Sequence, residues 1–134
     1  MKRAGFTMIE LIFVIVILGI LSAVALPKFI GVSEQAKAGK CQAFVGTLNR
    51  TVGPALWSDS IMKDGSGALL TTYTDATGVA TAIKAQIDVP PACTKTAATD
   101  YGQSFNLVIG SKNYDVNFTD GNATSAPVWS WTQK

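Results

Sequence analysis

The most prominent pattern in the chain is an apolar run from Leu11 to Leu26, which extends back to Phe6 with Glu10 as its sole charge. These roughly 21 residues reach about 31 Å as an α-helix, which matches the hydrocarbon thickness of a bilayer. Lys2 and Arg3 precede the run. Because basic residues are retained on the cytoplasmic side, the sequence predicts a single-pass helix with a cytoplasmic N-terminus and an exported remainder.

Beyond Pro27 the pattern changes to that of an amphipathic helix, with apolar residues at spacings of three and four along one face. The apolar face comprises Cys41, Phe44, Val45, Leu48 and Val52. The opposite, polar positions are Glu34, Lys37, Lys40, Asn49 and Arg50. Gly53-Pro54 predicts that the long helix ends or bends, and both a break near residue 53 and an end near residue 62 fit the pattern.

The C-terminal half contains one further helical pattern and three strand patterns. Residues 77–87 carry apolar side chains every four residues, which predicts a short helix ended by Pro90-Pro91. Three alternating runs then predict an antiparallel meander, with turns at Gly110–Asn113 and Asp120–Ala123. The alternating residues are Phe105, Leu107, Ile109, Tyr114, Val116, Phe118, Trp129 and Trp131. The predicted fold class is α+β, with a long N-terminal helix packed on a small sheet of about three strands and the tryptophans in the core.

Glu10 is the residue of the apolar helix that needs an explanation. A secretory signal peptide would account for the basic start, the apolar core and a cleavage site at Ala23-Val24-Ala25. A plain membrane anchor would account for the length, since a carboxylate near a helix end costs less than the roughly 2.5–3.5 kcal/mol of one at the bilayer centre. Neither interpretation gives the acid a role.

A third interpretation comes from a resemblance at residues 5–29. The letters GFTMIEL at residues 5–11, VILGIL at residues 16–21 and PKF at residues 27–29 resemble the class III signal of type IV pilins and pseudopilins. The resemblance implies cleavage by a prepilin peptidase between Gly5 and Phe6, methylation of the new Phe6 amine and a role for Glu10 in assembly. It also implies that the stretch from Gly19 to Pro27 unwinds or kinks in assembled filaments.

Physical reasoning supports the role of Glu10 independently. Cleavage after Gly5 would remove Lys2 and Arg3 and create an α-amine four residues before the carboxylate. The two groups are poorly placed to pair within one helix, but staggered neighbouring helices can bring Glu10 to the Phe6 amine of another subunit. Assembly would then relieve the cost of an unpaired charge in an apolar environment.

The resemblance implies a pilin-like fold and a structural, non-enzymatic subunit. The expected organisation is a cleaved leader at residues 1–5, a transmembrane and filament-core helix at residues 6–27, and an exported globular domain at residues 28–134. Expected partners are the prepilin peptidase, the inner membrane, the pilus assembly or type II secretion machinery, and further copies in a helical filament. The sequence resembles the mannose-sensitive haemagglutinin type of pilin at Pro27-Lys28-Phe29 and residues 32–36. The expected location is the inner membrane for the precursor and then an extracellular pilus.

Two alternatives to the pilus subunit remain at this stage. The major pseudopilin of a type II secretion system shares the N-terminal motif and would place the filament in the periplasm. A secreted or anchored globular domain that does not polymerise is a different class of protein. N-terminal sequencing distinguishes them, because N-methyl-Phe6 indicates the filament family, Leu26 a secretory signal and Met1 an uncut anchor.

Charge and composition exclude several functions. The chain has 11 basic and 9 acidic side chains, and loss of Lys2 and Arg3 would make the numbers equal, so composition does not indicate nucleic-acid binding. It contains no histidine, its acidic residues are dispersed, and no phosphate-binding glycine motif is present. No cofactor is expected, apart from a minor possibility of structural calcium at Asp120-Gly121-Asn122.

Cys41 and Cys93 are the two cysteines of a domain expected to mature in an oxidising compartment. A disulfide is the preferred interpretation, and a buried pair of free thiols is the alternative. Closing a loop of about 50 residues would stabilise the domain by roughly 4 kcal/mol. Asn117 and Asn122 each follow an acid by two residues and precede Thr119 and Thr124, the extended bacterial N-glycosylation pattern, although strand and turn chemistry explain the same letters.

Overall fold

A computed structural model describes residues 5–93 and 101–134 of the chain. Residues 1–4 of the predicted leader, including Lys2 and Arg3, lie outside the described residues. The chain divides into two compact units, the first ending at Gln35 and the second running from Ala36 to Lys134.

The long helix α1 runs Met8–Thr47. Its start is set by Thr7, whose Oγ1 accepts a hydrogen bond from the backbone N–H of Glu10 at 3.3 Å, as expected for an N-cap threonine followed three residues later by glutamate. The helix continues through Gly19 and Pro27 without interruption. Unwinding there was predicted for the assembled filament, and for that state it stays a prediction.

Just before Gly53-Pro54 the hydrogen-bonding pattern of the helix changes, but the helix does not end there. Leu48–Val52 form a π-helical turn in which Gly53 N–H donates to the carbonyl of Leu48. Proline has no N–H and its ring obstructs the carbonyl four residues earlier, so a widened turn just before Pro54 accommodates it. Helix α2, Gly53–Asp64, follows and ends at Gly65, which adopts φ of 72°.

Two short helices and a 3₁₀ turn complete the helical part. Helix α3 runs Leu69–Thr72, helix α4 runs Ala76–Gln86, and the 3₁₀ turn covers Pro91–Cys93. Asp75 caps α4 by accepting from the Gly78 N–H at 2.8 Å. The predicted helix at residues 77–87 is therefore confirmed, with its boundaries one residue earlier.

The sheet is the predicted three-stranded antiparallel meander. Strands β1 (Phe105–Ile109), β2 (Lys112–Thr119) and β3 (Val128–Gln133) lie in the order β1-β2-β3. Ile109 pairs with Lys112, so the first hairpin has a two-residue loop whose first residue, Gly110, has φ of 64°. Glycine at this position lets the turn follow the twist of the strands. The α+β fold class is confirmed.

The core of the second unit lies between the helical stripe and the inner face of the sheet. All five predicted stripe residues are buried, and Leu56 continues the stripe into α2. Trp129 is 1% exposed, and its indole donates to the Tyr101 carbonyl at 2.8 Å. Trp57 and Trp131 are half-buried at the margin of this core.

Asn49 departs from the prediction, which placed it on the polar face opposite the core. Its Nδ2 donates to the carbonyl of Trp129 at 2.6 Å, and its Oδ1 accepts from the Trp129 N–H at 2.8 Å. The amide thus bonds to the outer edge of β3 as a neighbouring strand would. A Cβ on Gly53 would lie 2.9 Å from the Trp129 ring, so glycine permits this close approach of helix and strand.

Candidate assembly segment

The candidate functional site is the segment from Gly5 to Glu10 together with the apolar surface of α1 that follows it. Gly5, Phe6 and Thr7 precede the helix in irregular backbone and are exposed. Glu10 is the third residue of α1. An accessible Gly5–Phe6 bond outside the helix is what a peptidase needs to reach its substrate.

The apolar surface of this segment has no intramolecular cover. Every large apolar side chain between Phe6 and Val32 is exposed, from 41% at Ile17 to 81% at Phe6. The helical stretch beginning at Met8 is long and apolar enough to cross a membrane. A continuous exposed apolar surface of this extent requires lipid or other protein around it.

Glu10 forms no ion pair within residues 5–93 and 101–134. In the uncleaved chain the Phe6 nitrogen is a peptide N–H and carries no charge to offer the carboxylate. The backbone N–H of Glu10 is directed to Thr7, while its side chain is exposed. The carboxylate is therefore available for a partner from outside the described chain.

The predicted disulfide between Cys41 and Cys93 is present, with Cα atoms 5.3 Å apart and a sequence separation of 52. Both cysteines are buried, at 0% and 1% exposure. The bond joins α1 to the 3₁₀ turn and closes a loop that contains α2, α3 and α4. The chain-entropy estimate for such a loop is about 4 kcal/mol of stabilisation.

The region of the suggested calcium and glycosylation sites has a structural role. One carboxylate oxygen of Asp120 accepts from the Leu69 N–H at 2.8 Å and the other from the Leu70 N–H at 3.1 Å, so Asp120 caps α3 from 50 residues away. Asn122 Oδ1 accepts from the N–H and hydroxyl of Thr124, both at 2.9 Å. Asn117 is exposed on β2. Glycosylation of Asn117 or Asn122 stays a prediction.

In the part of the chain that the structure describes, no group of three or more His, Cys, Asp or Glu side chains is placed to hold a metal ion. The titratable groups form small hydrogen-bonded sets instead. Asp59 lies 2.7 Å from Lys63 and accepts from the Tyr73 hydroxyl at 2.6 Å. Lys63 and then Tyr73 lower the pKa of Asp59 below 3.8, and burial together with Asp59 raises the pKa of the Tyr73 phenol above 10.0.

Two further carboxylates are held in the charged form by hydrogen bonds. Ser66 and Thr72 lower the pKa of Asp64, and Asn106 and Lys134 lower the pKa of Asp115. The Asp115 set crosses the outer face of the sheet, with Asn106 Nδ2 at 2.8 Å and Lys134 Nζ at 2.9 Å. These contacts join neighbouring elements and indicate structural roles.

Comparison with known proteins assigns the first part of the chain. The Prokaryotic N-terminal methylation motif matches residues 1–26. The N-terminal region of this chain is therefore similar to that of type IV pilins. The match contains Gly5, Phe6 and Glu10, and the fold is the long helix and small sheet expected of a pilin.

One curated relative is the Type IV narrow pilus major component PilA5 of Thermus thermophilus, which is 49% identical over 43 residues. The alignment covers 32% of this chain and 37% of the relative, so it spans little more than a third of the relative's length. No solved structure matches the chain. The pilin-type assignment therefore rests on the N-terminal region and on the architecture described above.

Sequence reasoning missed two residues that position the elements. Asn49 was placed on the polar face, because an α-helical count cannot anticipate the shift in register at the π turn. Asp120 was interpreted as part of a turn, whereas its carboxylate caps α3. For these two residues the sequence carried no signal of the distant partner. The start of α1 did carry a signal, because Thr7 and Glu10 have the spacing of a capping box.

Proposed function

We propose that this chain is the precursor of a structural subunit of a type IV pilus-like filament. In this proposal a prepilin peptidase cleaves between Gly5 and Phe6, the Phe6 amine is methylated, and the subunits polymerise through their N-terminal helices. The single observation that carries the proposal is the methylation motif at residues 1–26, which lies on a segment whose large apolar side chains from Phe6 to Val32 are all exposed. Residues 6–27 form the membrane and filament-core segment, and residues 28–134 form the exported domain.

The proposal gives Glu10 a partner. The carboxylate is exposed and unpaired in the described residues, and cleavage creates a cationic amine four residues earlier. In an apolar bundle an unpaired carboxylate is costly, so pairing with the Phe6 amine of a neighbouring subunit favours one axial register of assembly. Subunits whose amine has not been released lack this pairing.

We propose an extracellular pilus over a secretion pseudopilus. The observation that favours it is the similarity to a narrow-pilus major component. The precursor is then an inner-membrane protein whose assembly machinery exports the filament. The role proposed for the chain is structural and not enzymatic.

N-terminal analysis of the mature protein tests the processing step. N-methyl-Phe6 at the mature terminus is the expected result. A terminus at Leu26 would indicate a secretory signal, and an intact Met1 in sheared surface material would contradict processing.

Glu10→Val tests the assembly step. The variant should insert into the membrane at the normal level and be processed, because the apolar helix is intact, yet fail to enter filaments. Glu34→Val is the matched control, since it removes another carboxylate of α1 and should still be incorporated. Normal incorporation of Glu10→Val would contradict the proposed pairing.

Electron microscopy of sheared cell surfaces tests the location. Filaments that contain this chain and extend from the cell surface are expected for a pilus. Detection of the assembled chain in the periplasm alone would instead assign it to a type II secretion pseudopilus.

A further inference from the structure

We propose that successive copies of this chain contact each other head to tail through two oppositely charged ends of the second unit. The basic end carries Lys37, Lys40 and Lys112, and the acidic end carries Asp64, Asp75 and Asp120. The inference rests on the proposed filament function and adds to it the surface by which the exported domains associate.

The basic end is a set of exposed cations beside an open groove. Lys37 and Lys40 lie on α1 and Lys112 begins β2, and none of the three forms an ion pair within the described ranges 5–93 and 101–134. The groove runs between the helix and the first hairpin. Its lining residues are Lys37, Pro91, Ala92, Val108, Ile109 and Gly110.

The acidic end gathers three carboxylates around α3. Asp64 accepts from Ser66 N–H and Thr72 hydroxyl, both at 2.8 Å. Asp75 and Asp120 cap α4 and α3. The neighbouring Lys63 is paired with Asp59. Hydrogen bonds hold these carboxylates in place, so their side chains lose little conformational entropy when the acidic end makes a contact.

The two ends also carry the most exposed large apolar side chains described in the second unit. Met62, in the last turn of α2 beside the acidic end, is 83% exposed. Val108, in the groove of the basic end, is 67% exposed. Val128, which belongs to neither end, is 50% exposed. In the proposed contact, Met62 at the acidic end of one copy packs into the groove that contains Val108 at the basic end of the next copy.

The distance between the two ends places the proposed contact between two molecules, in a head-to-tail arrangement. Lys37 and Met62 are 25 positions apart on one helical path, which is roughly 38 Å at 1.5 Å per residue. The ends of one molecule therefore cannot meet each other. A contact between two different surfaces of identical chains is heterologous, and without ring closure it generates an open filament.

Charge complementarity selects this occupant. In the described ranges, Lys37, Lys40 and Lys112 at one end and Asp64, Asp75 and Asp120 at the other form no ion pair, so the two ends carry unpaired formal charge of opposite sign. Opposite patches orient encounters and suppress like-to-like pairing of the same end. The contact would fix the order of exported domains along the filament, while the N-terminal helices form its core.

Cross-linking of full-length chains in sheared filaments tests the contact. Met62→Cys combined with Val108→Cys should give a ladder of covalent multimers on non-reducing electrophoresis, with the ladder lost on reduction. Met62→Cys combined with Val128→Cys is the matched control and should remain monomeric. Equal ladders in both variants, or filaments with no ladder in the first, would overturn the proposed contact.

Charge reversal provides a second test that needs no new cysteine. Lys37→Glu combined with Lys112→Glu should reduce filament yield by about fivefold or more, whereas Lys84→Glu, an exposed cation on α4, should leave it unchanged. Precursor level and the Cys41–Cys93 bond, read on non-reducing gels, report folding. Unchanged yield of the double variant would overturn the contact, while absence of filaments from the unmodified chain would overturn the proposed function itself.

Discussion

Leu18 and Leu48 lie on one helical path, yet Leu18 is 56% exposed and Leu48 is fully buried. The side chain is the same, and the difference lies in what surrounds it. Around Leu48 the chain supplies its own partners from the sheet and the short helices. Around Leu18 the described chain supplies none. The first unit therefore depends on lipid or other protein to cover its apolar surface, whereas the second forms a core by itself.

The disulfide contributes to the stability of the second unit, which forms its core from its own residues. The second unit has about 99 residues and a core built on one helix face and three strands. Small domains of this kind have stabilities of roughly 5–15 kcal/mol, so a bond that contributes about 4 kcal/mol is a large fraction of the total. The first unit contains no cysteine and relies on its environment instead.

Loss of the disulfide should have the largest effect on the second unit. Cys41→Ser combined with Cys93→Ser is expected to lower its free energy of unfolding by about 4 kcal/mol, because the unfolded chain regains the freedom of the closed loop. Thermal unfolding of the full chain in detergent micelles measures the change, and membrane insertion of the precursor should be unaffected. An unchanged unfolding temperature would contradict the estimate.

The two leucines themselves give the next prediction. Leu48→Ala should destabilise the second unit by about 3 kcal/mol, because it removes buried contacts and leaves a cavity. Leu18→Ala should leave the same unfolding transition unchanged, since Leu18 contacts no core. Thermal unfolding of both variants in micelles compares them directly. Equal destabilisation by the two substitutions would refute the separation of the two units.

A smaller effect is expected where the helix holds the sheet edge. Asn49→Ala removes both hydrogen bonds to the Trp129 backbone and should cost about 2 kcal/mol, because the buried strand edge loses its partners. Arg50→Ala, the exposed neighbour, should change stability by less than about 0.5 kcal/mol. Chemical unfolding monitored by tryptophan fluorescence suits this pair. A larger loss for Arg50→Ala would reject the structural role of Asn49.

The smallest effect concerns pH. The pKa values of Asp59, Asp64 and Asp115 are lowered in the folded state relative to 3.8, so their stabilising contribution is complete above that pH and is lost as the pH falls through the lower folded values. The raised pKa of Tyr73 has the opposite sign, giving a contribution that is lost as the pH rises beyond 10.0. The unfolding temperature should thus be flat near neutral pH and fall at both extremes.

Tyr73→Phe separates the two limbs of this pH profile. It should abolish the alkaline dependence and raise the pKa of Asp59, because the carboxylate loses the phenol that donates to it. The acidic limb should persist through Asp64 and Asp115. An alkaline limb of full size in Tyr73→Phe would show that another group is responsible.

The sequence by itself determined the elements with a strong periodic or motif signal. The apolar run, the stripe from Cys41 to Val52 and the alternating strands all report local physics, in which spacing decides which face is apolar. The N-terminal motif also carried the resemblance to type IV pilins, since it lies within a contiguous segment. The disulfide followed from the number of cysteines and the expected compartment.

Only the tertiary structure decided where distant parts of the chain meet. Asn49 bonds to Trp129 across 80 residues, and Asp120 caps a helix 50 residues earlier. The π turn decides which way Asn49 points, and it depends on the contact between helix and strand at Gly53 as much as on Pro54. Such contacts leave no periodic trace in sequence, because a hydrogen-bonding side chain in a turn or on a polar face has the same letter whether its partner is water or a distant strand.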